Sequence, residues 1–442
     1  VNMNRRTLNL IALGFVLMNP IAIDAQQQNH ISMDSVIDVV TKNNSNIQIA
    51  ELERRISAAN YKQTDAVFLP QVSVSYNAMV TNNPLNAFGF LLQQGDESSQ
   101  HFDPAKLNNP GSAHNFGTSI DLKVPLVNLD MVYARKGARL QQEVYKYKLA
   151  YTKDYVSFEG KKAYTQLQFT YQLRDILQAT LVDVRQILQS VTNFHKQGLV
   201  QQSDVLNAQV QVNTVESALS KAESNIQNAS EGLHLLMDKS EECKEVYLTD
   251  SLTQVMEIHD GIVFSPTRSD IMAMKTALEA SKMMEKSSYM AFMPKVNAFG
   301  SYQFNSNNMS GFNKKSYLAG LSLTWNLLSG NQNSGKYKSA RITTEKVQKE
   351  LKQLVDKSQL EINKTVRELK DYQLEIKKNQ TSVSQADEAL RILTNRFNEG
   401  LANTTDCLTA QAQLSQQRIA LAQAVMAYNI TKYYLELLIS KY

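Results

Sequence analysis

The sequence predicts an internally duplicated α+β membrane protein in which short β-hairpins alternate with long α-helical hairpins. Three observations carry this prediction. Motifs return once about 200 residues later, four segments of about ten residues alternate apolar and polar side chains, and two stretches of about 65 residues contain no proline.

The duplication is read directly. FLPQVSVSY (68–76) returns as FMPKVNAFG (292–300), and IDLKVPLVN (120–128) returns as LSLTWNLLS (321–329). GLVQQSDVLNAQVQ (198–211) returns as GLANTTDCLTAQAQ (400–413), with Gly198 matching Gly400 and Asp204 matching Asp406. An interval of 202 residues is far longer than a solenoid repeat, so a half-protein is duplicated and the halves should fold alike.

Composition sets the environment. Of the 442 residues, 43% are hydrophobic and only 20% charged, although much of the chain reads as helix. The polar positions are mostly Gln, Asn, Ser and Thr, which suits long wet helices without a strong field. A net charge of +4 is too small to imply nucleic acid. Arg5 and Arg6 precede an apolar run from Leu8 to Met18, with Ala22 and Ala25 beyond, the order of a secretory signal peptide over residues 1–25. The run is too short for a membrane anchor. Cys243 and Cys407 are the two cysteines, neither near the expected cleavage site, so no lipidated cysteine or disulfide framework is expected.

The elements follow in order. Residues 26–237 form the first repeat. Val36, Ile37, Val40, Ile47, Ala50, Leu52 and Ile56 give a helix over 32–66, which ends by Pro70. A β-hairpin spans 70–127, with Val72, Val74, Tyr76, Ala78 and Val80 on one face, and Ile120, Leu122, Val124 and Leu126 on one face of its partner. Residues 238–266, rich in charge, form a connecting segment belting the middle of the molecule. Residues 267–442 form the second repeat, with its β-hairpin over 294–328. Val296, Ala298, Gly300, Tyr302 and Phe304 share one face there, as do Tyr317, Ala319, Leu321, Leu323, Trp325 and Leu327. Residues 81–117 read as one long irregular loop.

Strands of this length and period fit a transmembrane β-barrel, apolar toward lipid and polar toward a wet lumen. Alternation alone is also the pattern of an ordinary half-buried antiparallel sheet. Four strands cannot close a barrel, and open edges are forbidden in lipid, so transmembrane strands require protomers that share one barrel.

Helices follow each hairpin, over 129–196 with a return over 203–237, and over 332–396 with a return over 405–439. In the second, Ile362, Val366, Leu369, Gln373, Ile376, Gln380 and Val383 keep heptad spacing. At 1.5 Å per residue such a helix is roughly 100 Å long. Gly198 and Gly400 stop the outgoing helices, near tips at 195–204 and 397–406. Ser203-Asp204 and Thr405-Asp406 offer N-cap groups for the return helices.

Enzyme motifs are lacking. His30, His101, His114, His195, His234 and His259 are scattered without partners at metal-ligand spacing, and neither a phosphate-binding glycine loop nor GxSxG occurs. No catalytic, cofactor-binding or metal site is therefore assigned. Methionines at 272, 274, 283, 284, 290 and 293 read either as packing at a helix–strand junction or as soft-metal ligands.

The duplicated helix–strand–strand–helix order, Leu69-Pro70 and Met293-Pro294, and the paired G-L-x4-D-x-L-x-A-Q motifs together resemble the TolC-like outer-membrane efflux family over essentially the whole mature chain. The strand-to-helix motif departs from the family pattern, as VPLVN (124–128) and WNLLSG (325–330). The resemblance implies a homotrimer with a shared 12-stranded transmembrane β-barrel and a trimeric α-barrel extending from the outer membrane into the periplasm. It implies the passive exit duct of a tripartite efflux or type I secretion system. The partners it implies are a periplasmic adaptor (membrane fusion) protein, an inner-membrane pump of RND or ABC type, and outer-membrane lipid.

Carried over onto this sequence, Gly198, Leu199, Gly400 and Leu401 match the adaptor-docking tips; they also simply close turns. Asp406, with Asp204 as its counterpart, matches an acidic position at the periplasmic constriction; both also suit plain helix capping. Thr409, Phe397 and Ala402 stand where polar lock residues occur in the family, so that lock is not expected. A secreted periplasmic coiled-coil adaptor or scaffold without a channel remains the alternative, as does the choice of drug, metal ion or polypeptide as cargo.

Overall fold

A computed structural model of the chain describes residues 29–239, 246–255, 265–309 and 311–442. The expected signal peptide over 1–25 lies outside the described residues. After β1 (Asn29–His30), Ser32 caps α1 (Met33–Asn43), its hydroxyl accepting the Ser35 N–H at 3.3 Å. The expected single helix over 32–66 is broken, with α2 (Ser45–Gln63) following α1. Asn44 leaves the helical backbone (φ −56°, ψ 128°); its side-chain oxygen accepts from the Asn46 N–H and its amide donates to the Leu236 carbonyl at 2.8 Å. A polar side chain that can cap a helix thus ends one and starts the next.

β2 (Gln71–Thr81) then runs into a segment where the sequence suggested an irregular loop. Instead Asn83 caps α3 (Pro84–Gln94), with Pro84 in its first turn and Gly95 at φ +63° beyond its end, and Asp103 caps the short α4 (Pro104–Asn108). Proline at the start and glycine past the end are ordinary helix punctuation. β3 (Ala113–Val127) leads into α5 (Leu129–Lys196), which returns as α6 (Gln202–Leu236). β4 (Tyr247–Leu248) and α7 (Ser269–Met290) follow, then β5 (Lys295–Ser306), β6 (Lys314–Thr324), α8 (Gln332–Asn398) and α9 (Thr404–Ile439). The halves correspond closely, with α5 and α8 of 68 and 67 residues, and α6 and α9 of 35 and 36.

The four long strands form one antiparallel sheet in the order β2-β3-β5-β6. Its register aligns Val74 with Ile120, Ile120 with Tyr302, and Tyr302 with Tyr317, so apolar side chains of all four strands share one face. Ser73, Asp121 and Ser301 align on the other face. β6 ends earlier than the alternation suggested. Trp325 lies past it, donating its indole N–H to the Phe292 carbonyl at 3.0 Å.

The helices pack as two hairpins, α5 with α6 and α8 with α9, joined through α5 and α9. α2 lies along α5, and α7 lies along both α5 and α8. Val36, Val40, Val156, Tyr164, Leu167, Leu233 and Tyr247 interlock where α1, α5, α6 and β4 meet. The heptad seam of α8 is used: Ile362 packs against Leu435 and Leu438, and Ile376 against Ala424 and Tyr428. Of the connecting segment expected over 238–266, residues 238–239, 246–255 and 265–266 are described. There β4 pairs in parallel with β1, and Asn429 of α9 holds the strand's continuation by accepting from the Val255 N–H and donating to the Thr253 carbonyl. Met284 of α7 lies over Gly137 of α5, so this methionine packs between helices.

Candidate functional site

The tips are built twice by one device. At the end of α5, Gly198 adopts φ +76°, its N–H bonds the His195 carbonyl, and the Leu199 N–H reaches the Phe194 carbonyl at 2.9 Å. At the end of α8, Gly400 adopts φ +73°, its N–H bonds the Phe397 carbonyl, and the Leu401 N–H reaches the Arg396 carbonyl at 2.7 Å. Both are Schellman closures, which need a left-handed residue that glycine alone adopts without strain. The loop carbonyls that follow are also held: His195 Nδ1 lies 3.1 Å from the Val200 oxygen, and the Arg396 guanidinium lies 3.4 Å from the Leu401 oxygen.

The return helices start earlier than the sequence suggested. Gln201 and Asn403 occupy the N-cap positions, in extended backbone, and Ser203 and Thr405 lie inside the helices. Asp406 accepts the Asn403 N–H at 3.4 Å while Asn403 accepts the Asp406 N–H at 2.8 Å. Asp204 accepts the Gln201 N–H at 3.0 Å. The two acids are therefore third-position partners in capping boxes. The correction follows from chain geometry, because each five-residue turn closes one or two residues sooner than a Ser or Thr cap would allow.

Leu199 and Leu401 are two-thirds exposed, at 68% and 67%, and project from the tips without apolar cover. Immediately behind them the hairpins are fastened together. Ile187, Val191, Phe397 and Cys407 form a buried cluster, with Phe194 edge-on to Phe397. Burial and the nearby Asp406 carboxylate push the Cys407 thiol up to about 11. In sequence Phe397 is legible only as a departure from a polar lock; its role as the apolar fastener depends on the contact of α5 with α8. Above the cluster, a groove of about 570 Å³ runs between α5 and α8, floored by Gln411, Leu414 and Arg418 of α9. Gln411 is buried and donates to Asp183 across it, and Arg418 bonds Asp387 at 2.9 Å.

At the other end, the sheet leaves its apolar face uncovered. Val72, Val74 and Val80 are each more than 60% exposed, as are Leu321 and Leu323. β2 and β6 are its edges, unpaired among the described residues. Lys295 of β5 anchors the sheet to Asp130 of α5, and Arg135 of α5 ties down the chain leading into β2, pairing with Asp65 at 2.6 Å and stacking on Tyr61 at the end of α2. No described helix is long and apolar enough to cross a membrane. No group of three or more His, Cys, Asp or Glu side chains able to hold a metal ion occurs among the described residues.

The chain matches the outer membrane efflux protein family over residues 36–238 and 267–439, the two repeats with the connecting segment excluded. Its fold is similar to that of the outer membrane protein VceC from Vibrio cholerae (TM-score 0.79, 17% identity, covering 92% of this chain and 96% of that one). It is similar also to the CmeC outer membrane channel of Campylobacter jejuni (TM-score 0.78, 15% identity, covering 98% and 94%). The open-state MtrE outer membrane channel of Neisseria gonorrhoeae follows at TM-score 0.72, with 14% identity and coverage of 92% and 88%. At these identities the likeness establishes the fold. No curated protein matches the sequence.

Proposed function

Because this chain belongs to the outer membrane efflux protein family, we propose that it is the passive exit duct of a tripartite efflux or type I secretion assembly, acting as a homotrimer. The observation that carries the reading is the open sheet. An apolar face and two free edges are intolerable in lipid for one protomer, since each unpaired backbone group there costs several kcal/mol. Pairing β6 of one protomer with β2 of the next removes both edges and gives twelve strands from three chains. The helices support the same closure, because α6 and α8 are the outermost of the four long helices, just as β2 and β6 are the outermost strands.

In this reading the apolar face meets outer-membrane lipid, the Ser73–Asp121–Ser301 face lines water, and the long helices descend into the periplasm. The tips then lie at the far end. Leu199 and Leu401, held out by the Gly198 and Gly400 turns, dock a periplasmic adaptor, which couples the duct to an inner-membrane pump. Asp406, with Asp204, sets a ring of carboxylates at the periplasmic constriction that favours cations. Residues 246–255 of the connecting segment lie against the helices between the two repeats.

Negative-stain imaging of the chain, extracted in detergent from isolated outer membranes, tests the reading. Rods with three-fold symmetry, well over about 100 Å long from the helix rise alone, are the expected result. Small asymmetric particles, or protein recovered only from soluble periplasm, would instead establish a scaffold without a channel.

A further inference from the structure

α3 differs from the connection that the sequence suggested, and its position gives it a role. It packs on the polar face of the sheet: Gln94 donates to the His114 carbonyl at 2.6 Å and to Asn115 Oδ1 at 3.0 Å, and Asn115 donates to Asn305 at 3.0 Å. Asn115 and Asn305 belong to the same face as Asp121 and Ser301, by the two-residue alternation of β3 and β5. Both are buried, although that face is otherwise wet, because α3 covers them. Its own buried residues are Ala87 and Gln94, two turns apart on one side.

The opposite side is apolar. Leu85, Gly89 and Leu92 recur at helical spacing there, Leu85 is 80% exposed and Leu92 49%, and the segment 84–94 carries no charge. Beyond the helix's own backbone, no described atom lies within 4 Å of a Cβ built on Gly89. A helix face turned to open water would carry charges instead. Phe88 is braced against Phe102, ring centroids 5.6 Å apart, which holds the helix from its flank.

We propose that three copies of α3 converge at the outer mouth of the barrel and form an apolar constriction, with Leu85 and Leu92 nearest the axis. The proposal rests on the trimeric duct proposed above. Its geometry closes. Twelve strands about 4.8 Å apart and tilted about 40° make a barrel about 24 Å across. Three helices about 10 Å thick, touching one another, need a ring about 22 Å across. The barrel figure runs between strand backbones, so three copies exceed the space inside the wall and meet above the strand ends, leaving no open water column at the rim. α3 also begins two residues beyond β2, the strand that borders the neighbouring protomer in the closed barrel, so the new contact continues that seam. An apolar constriction of this kind resists ions by dewetting and yields to a cargo or a movement that parts the leucines.

Disulfide trapping tests it. Leu92→Cys and, separately, Leu85→Cys are placed in the full chain, oxidised in isolated outer membranes, and run without reductant beside the parent chain. Dimers above the parent background, reaching up to about two chains in three because a three-fold axis leaves one partner over, are the expected result for at least one of the two. Native mass spectrometry of the same samples reports the trimer. A trimer with neither variant trapped overturns the constriction and leaves the duct standing. A monomeric mass overturns the shared barrel, and the constriction with it.

Discussion

Phe194 and Phe397 meet edge to face, ring centroids 5.3 Å apart and planes 69° apart, and this contact joins the end of the first long hairpin to the end of the second. The two residues sit two and one positions before the ends of their helices, so the rings lie directly behind the exposed leucines of the tips. Fixing one tip relative to the other is a prerequisite for presenting both to one partner.

Phe397→Ala should cost about 3–5 kcal/mol locally, the usual range for emptying a buried aromatic site. The loss should be confined to the tip, because the next apolar cluster along α5 does not share residues with this one. Hydrogen exchange checks this: amides of 187–194 and 404–411 should exchange faster, while those of 156–167 stay protected.

Leu199→Asp and Leu401→Asp should weaken adaptor binding at least tenfold without changing the trimer, since each places a charge where an apolar contact is expected. Gly198→Ala and Gly400→Ala should cost about 1–2 kcal/mol each through left-handed backbone strain. Binding of purified adaptor to detergent-extracted duct, measured by light interferometry, separates the two effects. Undiminished binding by both Asp variants would remove the tips from docking.

Asp406→Ala removes one half of a capping box and should cost about 1 kcal/mol. It should also lower cation selectivity, read as a smaller reversal potential under a salt gradient in a planar bilayer. Unchanged selectivity would leave Asp406 a cap and nothing more.

The Cys407 thiol gives a pH signature. Its folded value lies above 9.0, at about 11, so the folded state retains the proton that the unfolded chain loses. That contribution to stability is complete below pH 9.0 and declines as pH rises toward about 11. Peptide mapping after alkylation at pH 8 should find Cys407 unmodified in the native duct and modified once denatured.

Arg268 is 4% exposed and gathers four bonds: two to Asp270, one to the Leu438 carbonyl and one to Ser358. It ties the start of α7 to α8 and the end of α9. Arg268→Ala leaves Asp270 without its partner and should cost about 3–5 kcal/mol. A lowered urea midpoint in detergent, with Arg268→Lys recovering only part because lysine cannot make the paired contacts, would confirm it.

The sequence by itself determined the duplication, the long helices and the alternating strands, since each rests on a local pattern that appears twice in the same order. The run from about Leu129 to about Lys196 was legible as one helix because no proline interrupts it and Gly198 stops it. Positions that depend on a partner distant in the chain were not. Asn44 breaks the first helix through a bond to Leu236, α3 is held by Asn115 and Asn305, and Phe397 becomes a fastener only when Phe194 arrives from the other repeat. Periodicity gives an element its type and its faces. Which face meets which was decided only when the two halves packed together.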